Sequence, residues 1–281
     1  MRTRRTLASG ATALLATLAL LSGSPAAQAA TRAPSPPPAR AAVAAATADT
    51  AAPTGPVCWY GSCYDYVSGR QITDTAGASV RMLQADPEIK PGDVDSHSLQ
   101  ELALQSTDHL STVEIGWTVD FGLNGDTKPH LFVYHWVNGA ESCYNACGFV
   151  QVSRTVKPGM AVRPGTEAKF TIQNLAGDWW VFYDDHAVGY FPGSLWSGSY
   201  TRAQVVTAFG EVAHATGSTC EDMGNGRPGS SGRSGLIEDF QLHGSKDRPA
   251  LTVTATSPAL YSAGHVTRTS FHLGGAGSGP C

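Results

Sequence analysis

Two glutamates, Glu114 and Glu211, stand out because each lies inside a short apolar segment of the sequence. Glu114 follows Val113 and precedes Ile115, and Glu211 lies in the stretch AFGEV. A carboxylate in such a segment costs free energy unless it is paired, hydrogen-bonded or facing a solvated cleft. Two carboxyls meeting across a cleft would repel, which leaves one protonated and one ionised. Such a pair could hydrolyse peptides or glycosides at acidic pH; the alternative is two solvated surface glutamates.

Other common catalytic sites have no signature in this sequence. It contains neither the GxSxG motif of a nucleophile elbow nor the GxxxxGK[ST] motif of a phosphate-binding loop. His130 and His135 are separated by an odd number of residues, so a strand would place them on opposite faces as ordinary structural histidines. The formal charge of −4 gives no basic footprint for nucleic acid. We expect no metal and no cofactor.

The elements that would position the glutamates are predicted to be strands. The chain contains 31 glycines and 17 prolines and only 15% charged residues, which favours a loop-rich all-β domain. Short alternating segments recur between turn residues, and about ten strands at this spacing indicate a sandwich or a barrel. The predicted strands are Thr112–Asp120, His130–Val137, 148–156, 169–175, Asp178–Tyr183, His186–Phe191, 205–212, 236–243, 251–256 and 267–273. One short helix is predicted at residues 98–104.

The N-terminal part of the chain divides into three predicted segments. Residues 1–29 have an arginine-rich start, an apolar stretch at 11–21 and an AQA cleavage pattern, which is typical of a secretory signal peptide. Residues 30–56 are an Ala/Pro-rich linker, and residues 57–97 are expected to form an appendage packed on the main domain at 98–281. We therefore expect a secreted, extracellular protein with no membrane contact after removal of the signal.

The six cysteines are expected to form disulfides, because their number is even and the chain is predicted to be exported. Proximity in sequence favours one pair at Cys58 and Cys63 and another at Cys143 and Cys147. These pairs leave Cys220 to bind Cys281 at the C-terminus. Zinc binding is the competing use, but no CxxC or HExxH pattern accompanies these cysteines.

Five ordered motifs carry a resemblance to the neprosin family of glutamic peptidases. They are similar to that family's E-A-G-W-x-V, CYN…C-x-GFVQ, G-x-WW…VGYWP, G-G-E-V and M-G-S-G segments. In this sequence they read EIGWTV (114–119), CYNACGFVQ (143–151), GDWW (177–180) with VGYFP (188–192), FGEV (209–212) and MGNG (223–226). Three substitutions depart from the family pattern: Ile115 and Phe209 replace small residues near the glutamates, and Asn225 replaces a serine.

The resemblance implies an antiparallel, jelly-roll-like β-sandwich that acts as an endopeptidase, cleaving after proline under acidic conditions. The family's two catalytic glutamates fall on Glu114 and Glu211. One, ionised, would take a proton from the attacking water, and the other, protonated, would stabilise the oxyanion and protonate the leaving nitrogen. The sequence does not assign the two roles.

The substrates would be proteins or peptides containing proline, and we expect the enzyme to be a monomer. Trp180 and Tyr190 are candidates for the substrate-binding wall of the cleft, because a proline ring favours an aromatic or apolar surface. Trp179 points to the face opposite Trp180, and Trp117 is expected in the core. The alternative is a carbohydrate-active or carbohydrate-binding β-sandwich, since paired carboxylates and exposed aromatics also fit that class.

Overall fold

The computed structural model describes residues 55–59, 61–90, 92–215 and 219–281. The predicted signal peptide at 1–29 and nearly all of the predicted linker at 30–56 lie outside the described residues. No helix within the described ranges is long and apolar enough to cross a membrane.

The described residues form two antiparallel sheets. The first sheet has the strand order β1-β2-β12-β4-β5-β6-β7, and β14 also pairs with β2. Its strands are β1 (Val57–Trp59), β2 (Ser62–Thr75), β4 (His97–Gln105), β5 (Thr112–Asp120), β6 (His130–Val137), β7 (Ala140–Glu141), β12 (Ala203–Ala215) and β14 (Thr252–Ala255). A one-turn helix, α1 (Phe121–Asn124), follows β5, and the Asp120 side chain caps it by accepting a hydrogen bond from the Leu123 N–H.

The second sheet has the order β15-β16-β13-β3-β9-β10-β11-β8. Its strands are β3 (Gly77–Leu83), β8 (Val150–Gln151), β9 (Glu167–Leu175), β10 (Asp178–Tyr183), β11 (His186–Phe191), β13 (Gly235–His243), β15 (Ser262–Gly264) and β16 (Phe271–Gly274). A 3-10 turn at Gly193–Trp196 follows β11.

One face of each sheet contributes to a shared apolar core. From β5 in the first sheet this core contains the alternate residues Val113, Ile115, Trp117 and Val119. From the second sheet it contains residues such as Phe170 and Trp179. Trp117 is fully buried there, as predicted. The remaining alternate residues of β5, Glu114 among them, therefore point away from the core.

The structure confirms the all-β prediction and corrects two segments. The predicted helix at 98–104 is wrong, because these residues lie in β4 between β12 and β5. All nine residues of β4 are buried, so the strand shows no apolar–polar alternation. The predicted appendage at 57–97 is also corrected: β2 pairs with β12 over most of its length, and β3 lies between β13 and β9.

Several strand boundaries also differ from the prediction. The predicted strand at 148–156 shrinks to Val150–Gln151, whereas the one at 205–212 lengthens to Ala203–Ala215. Four predicted strands have the observed bounds: Thr112–Asp120, His130–Val137, Asp178–Tyr183 and His186–Phe191. In these four strands, turn-forming residues stand at or next to both ends.

Three disulfides connect the cysteines in the predicted pairs. They join Cys58 to Cys63, Cys143 to Cys147, and Cys220 to Cys281. The first links paired residues of β1 and β2, and the third bridges a sequence separation of 61 residues. No free thiol remains to bind zinc, since all six cysteines of the chain are in these bonds.

Candidate active site

Strand register brings the two sequence-predicted glutamates onto the same face of the first sheet. β4 separates their strands: Glu114 of β5 lies opposite Ala103 of β4, and Glu211 of β12 lies opposite Leu99 of β4. Ala103 and Leu99 are four residues apart on one strand and so project to the same side, and directly paired residues share a face. Both carboxyl groups therefore lie on the sheet face that points away from the core.

A third carboxyl group, Glu101, lies between them. Glu101 of β4 is paired with Gly116 of β5 and with Phe209 of β12, so it belongs to the same face. It is fully buried, and neither of its carboxyl oxygens has a hydrogen-bond partner among the described residues. Glu101 is not among the sequence-predicted site residues, because residues 98–104 are predicted there as a helix. The sequence carries no local signal for it, since β4 is buried on both faces and does not alternate.

The three glutamates lie within a second apolar cluster, separate from the main core. Its buried members are Tyr64, Tyr66, Leu99, Ala103, Phe132, Phe209 and Ala213. Because these side chains displace water, charges on this face are poorly solvated and interact strongly with one another. Glu101 and Glu211 are 0% exposed and Glu114 is 1% exposed.

The loop closed by Cys143–Cys147 supports this cluster from the side of β6. Asn145 accepts a hydrogen bond from the Val133 N–H through Oδ1 at 2.9 Å, which fixes the loop to β6. The neighbouring Tyr144 stacks on Phe132 with ring centroids 6.2 Å apart. The CYN motif of the sequence thus places an aromatic side chain at the edge of the glutamate face.

Glu211 has the strongest hydrogen bonding of the three carboxyls. The Nε2 atom of His97 lies 2.7 Å from its Oε1, and the Tyr66 hydroxyl also donates to this carboxyl. On its other side, His97 places Nδ1 3.9 Å from Oδ2 of Asp120. Burial raises the pKa of Glu211 above its ordinary value, and the hydrogen bonds from His97 and Tyr66 and the charge of His97 reverse only part of this rise.

Glu114 and Glu101 are held closer to the neutral form. Burial and the charge of Glu211 raise the pKa of Glu114 to about 8, and a 3.1 Å hydrogen bond from the Trp136 indole N–H to Oε1 opposes this only partly. Burial, followed by the charges of Glu114 and Glu211, raises the pKa of Glu101 well above its ordinary value. Of the three carboxyls, Glu211 thus has the best-supported ionised form, whereas Glu101 and Glu114 stay protonated throughout the acidic range.

The predicted substrate-binding residues Trp180 and Tyr190 lie elsewhere. They stack on each other with centroids 4.7 Å apart on neighbouring strands of the second sheet. Trp179 faces the core, so Trp180 faces outward on the side of the sandwich opposite to the glutamates. Their expected place in the cleft is corrected, because both residues lie on the second sheet and on its outer face.

The two histidines singled out from the sequence have ordinary structural roles. His130 hydrogen-bonds Asp126 through Nε2 and the carbonyl of Gly159 through Nδ1, both at 2.9 Å. His135 faces the core, where its ring lies 4.5 Å from that of Phe191. They occupy opposite faces of β6, as their spacing predicts.

One group of metal-ligating residue types comes together within the described ranges, formed by Cys220, Glu221 and Cys281. Its two sulfurs are already joined in a disulfide, so it does not provide thiolate ligands. The glutamate face, by contrast, holds three buried carboxyls with different hydrogen-bond partners.

The chain matches one family model and is similar to several solved structures. The family model named Neprosin matches residues 94–276, well over half of the chain. Among solved structures, the chain is similar to scytalido-glutamic peptidase with a transition state analog inhibitor (8% identity, TM-score 0.48, covering 75% of this chain and 98% of that one). It is also similar to SCP-B, a member of the Eqolisin family of peptidases in complex with the tripeptide Ala-Ile-His (7% identity, TM-score 0.38, covering 75% and 98%). On the match over residues 94–276, the chain belongs to the Neprosin family of glutamic peptidases.

Proposed function

We propose that the protein is a secreted, acid-active endopeptidase that cleaves after proline, with Glu211 as general base and Glu114 as general acid. The observation that carries this proposal is the unequal environment of two buried carboxyls on one sheet face. Glu211 receives hydrogen bonds from a histidine and a tyrosine, whereas Glu114 receives one from an indole. Unequal partners favour unequal protonation, which water-activating hydrolysis requires.

Glu211 suits the base because its ionised form is the better stabilised. His97 and Tyr66 occupy hydrogen-bonding sites on its carboxylate, while Oε2 is buried and has no partner among the described residues. That oxygen would accept the proton of a water molecule as the water attacks the scissile carbonyl carbon. The new carbon–oxygen bond forms while the carbonyl π electrons move onto oxygen to give the oxyanion.

Glu114 suits the acid because it keeps its proton throughout the acidic range. With a pKa raised to about 8, its carboxyl would first donate a hydrogen bond to the oxyanion. It would then transfer its proton to the leaving nitrogen as the carbon–nitrogen bond breaks. Glu211 then holds the proton from water and Glu114 is ionised, so one proton transferred through solvent restores the starting state.

The preference for proline and the secretion of the protein are the finer parts of the proposal. Both faces of a pyrrolidine ring are apolar, and in an X-Pro unit the ring nitrogen carries no hydrogen to be satisfied. The aromatic and aliphatic cluster around the glutamates offers such a ring a compatible surface. Three disulfides and the predicted signal peptide support export to an oxidising compartment.

The test is digestion of a proline-rich unstructured protein at about pH 3–5, with the new termini read by mass spectrometry. We expect cleavage within the chain, with proline at the new C-termini, and no loss of rate in a chelator or a serine-directed inactivator. The Glu211→Gln protein, purified in the same way, controls for contaminating peptidases. New termini without proline would refute the proposed specificity alone. Absence of any cleavage, together with hydrolysis of oligosaccharides, would favour the carbohydrate-active alternative.

A further inference from the structure

His97 contacts the proposed general base, Glu211, directly. It is the first residue of β4, paired with Ala213 of β12 and with Asp120 of β5, so it shares the glutamate face. Its side chain is only 8% exposed. One ring nitrogen faces Glu211 at 2.7 Å and the other faces Asp120 at 3.9 Å.

Two carboxylates on the two ring nitrogens define which form of histidine fits. A carboxylate only accepts hydrogen bonds, and only the imidazolium form carries a hydrogen on both nitrogens. A neutral ring would leave one nitrogen lone pair facing a carboxylate oxygen. Asp120 lies at ion-pair distance and Glu211 at hydrogen-bond distance, so both contacts favour a charged histidine with both acids ionised.

We propose that His97, held by Asp120, is a positioning residue that keeps Glu211 ionised and orients it, and so sets the lower pH limit of the peptidase. The inference rests on the proposed function, since it concerns the base of that reaction. By binding Oε1, His97 leaves Oε2 of Glu211 directed to the attacking water. Its charge also opposes the effect of burial, which raises the pKa of Glu211.

The two charges that act on His97 are those of Glu211 on β12 and Asp120 on β5, and the ring of Tyr64 on β2 lies 6.4 Å from its ring. Glu101 and Tyr66 lie farther along the same face, and His130 of β6 lies opposite Thr118 and is bound to Asp126. Burial lowers the pKa of His97, but its hydrogen bond to Glu211 and the charges of Glu211 and Asp120 outweigh burial and raise it. Arg70 of β2 shares the face but lies opposite Thr207, farther along the sheet. The local cation beside Glu211 is thus His97.

The decisive variant is His97→Gln, whose amide can still donate to Oε1 but carries no charge. We expect the acidic limb of the kcat/KM profile to move up by about one pH unit. One unit below the wild-type midpoint, kcat/KM would then be about tenfold lower than in the wild type, and it would recover at higher pH. Asp120→Asn, which keeps the oxygen that caps α1, should move the limb in the same direction by less.

The chain supplies a matched control in His214→Gln. His214 lies on the same strand as Glu211 but faces the opposite side, and its Nε2 atom is 3.2 Å from Oδ2 of the buried Asp65. This is a second buried histidine–aspartate pair, removed from the glutamates by the thickness of the sheet. Its loss should leave the acidic limb where it is, whatever it does to stability.

A second measurement does not depend on activity. Titration of the His97 ring by NMR should show that it stays protonated above the ordinary histidine range in the wild type. In Glu211→Gln the pKa of His97 should be lower than in the wild type. If the wild type cleaves peptides but the limb stays in place in both His97→Gln and Asp120→Asn, the inference is overturned. If the wild type cleaves nothing while His97 titrates as expected, the proposed function fails and the ion pair stands. Should His97→Gln not fold, an unmoved limb in Asp120→Asn is enough to overturn the inference.

Discussion

Replacement by glutamine should have different effects at the three glutamates of this face. Replacing Glu114 or Glu211 by glutamine keeps the size and a hydrogen-bonding end but removes proton transfer. We expect each variant to lose turnover while keeping the wild-type thermal unfolding temperature to within a few degrees. The double variant should be hardly slower than either single one, since groups that act as a unit are strongly non-additive.

Peptide cleavage rates and thermal unfolding temperatures of the two single variants and the double variant test this prediction. The Glu101→Gln variant, which changes the third carboxyl of the same face, is the control for both measurements. Near-wild-type rates in either single variant would remove that glutamate from the catalytic pair. Unfolding of both would make the pair structural.

Glu101→Gln should stabilise the protein at neutral pH. Burial and two neighbouring charges raise the pKa of Glu101 in the folded state, so its ionisation favours the unfolded chain. The resulting loss of stability begins above the unfolded value of about 4.3 and grows with pH. We therefore expect the unfolding temperature of Glu101→Gln to be higher than that of the wild type at pH 7 and almost unchanged at pH 4. The rise at pH 7 should be about 2–4 °C for each kcal/mol of unfolding free energy regained. The exposed Glu88→Gln serves as control, and an equal gain at both pH values would argue against a buried, unpartnered acid.

At the scale of elements, the spacing between β4 and β5 depends on Gly116. A Cβ atom at this position would lie 2.8 Å from the Cα and Cβ atoms of Glu101 and would clash with the carbonyl oxygen of Gln100. Backbone atoms of a central strand cannot move aside easily, so Gly116→Ala should cost about 1–3 kcal/mol. It should also lower kcat by displacing Glu101 and Glu114.

Gly232→Ala is the control for Gly116→Ala, because a Cβ there meets nothing within 4 Å. That variant should be neutral or slightly stabilising, since alanine restricts the unfolded chain. Chemical denaturation of both proteins, with kcat measured on each, makes the comparison. Equal stabilities would show that the two strands can separate without cost.

Elements were predictable from the sequence where one side of a strand differs chemically from the other. β5 alternates because its core side is apolar and its outer side carries Glu114 and Thr118. β4 and β2 do not alternate, because both of their faces are largely buried and their polar residues lie against distant parts of the chain. Asp65 of β2, for example, is bound by His214 and by Thr256. Such partners are separated by more than a hundred residues, and only the fold reveals them.

Prediction of the site residues from the sequence is limited in the same way, because contacts between distant residues appear only in the fold. The motifs and the apolar flanks identified Glu114 and Glu211 from the sequence. Glu101, His97 and Asp120 could not be added, because their importance comes from the register of β4 between its neighbours. Trp180 and Tyr190 were assigned to the cleft from their chemistry alone, and chemistry does not say on which sheet a residue lies.

For the molecule as a whole, the buried ionisable groups predict greater stability in acid than in alkali. Raised pKa values in the three buried glutamates mean that stability falls as pH rises above about 4.3. Raised pKa values in His97 and His214 mean that their contribution is lost above about 6.5, in the same direction. His135 acts oppositely: burial lowers its pKa to about 4, so its contribution falls as pH drops below about 6.5.

Together these groups place the expected maximum of the unfolding temperature at acidic pH, at about pH 4, because three glutamates lose stability as pH rises and only His135 opposes them. Differential scanning calorimetry from pH 3 to 9 measures it. A companion scan at high salt separates the buried groups, which are weakly screened, from the surface pairs, which are strongly screened. An unfolding temperature that rises steadily to pH 9 would contradict the raised pKa values of the buried glutamates and of His97 and His214.

The division of the first sheet into a core face and a glutamate face has a consequence for how this protein can change over evolutionary time. Along β5, folding constrains the core residues Val113, Ile115 and Trp117, and under the proposed function chemistry constrains Glu114 between them. Because the two sets alternate, substitutions in one set leave the other nearly untouched. A saturation scan of β5 should therefore show loss of protein abundance at the core residues and loss of turnover at normal abundance at Glu114, with Gly116 as the exception that loses both. An insertion of one residue would exchange the two sets at once, so lineages of this fold should tolerate drift in side chains far better than drift in strand length.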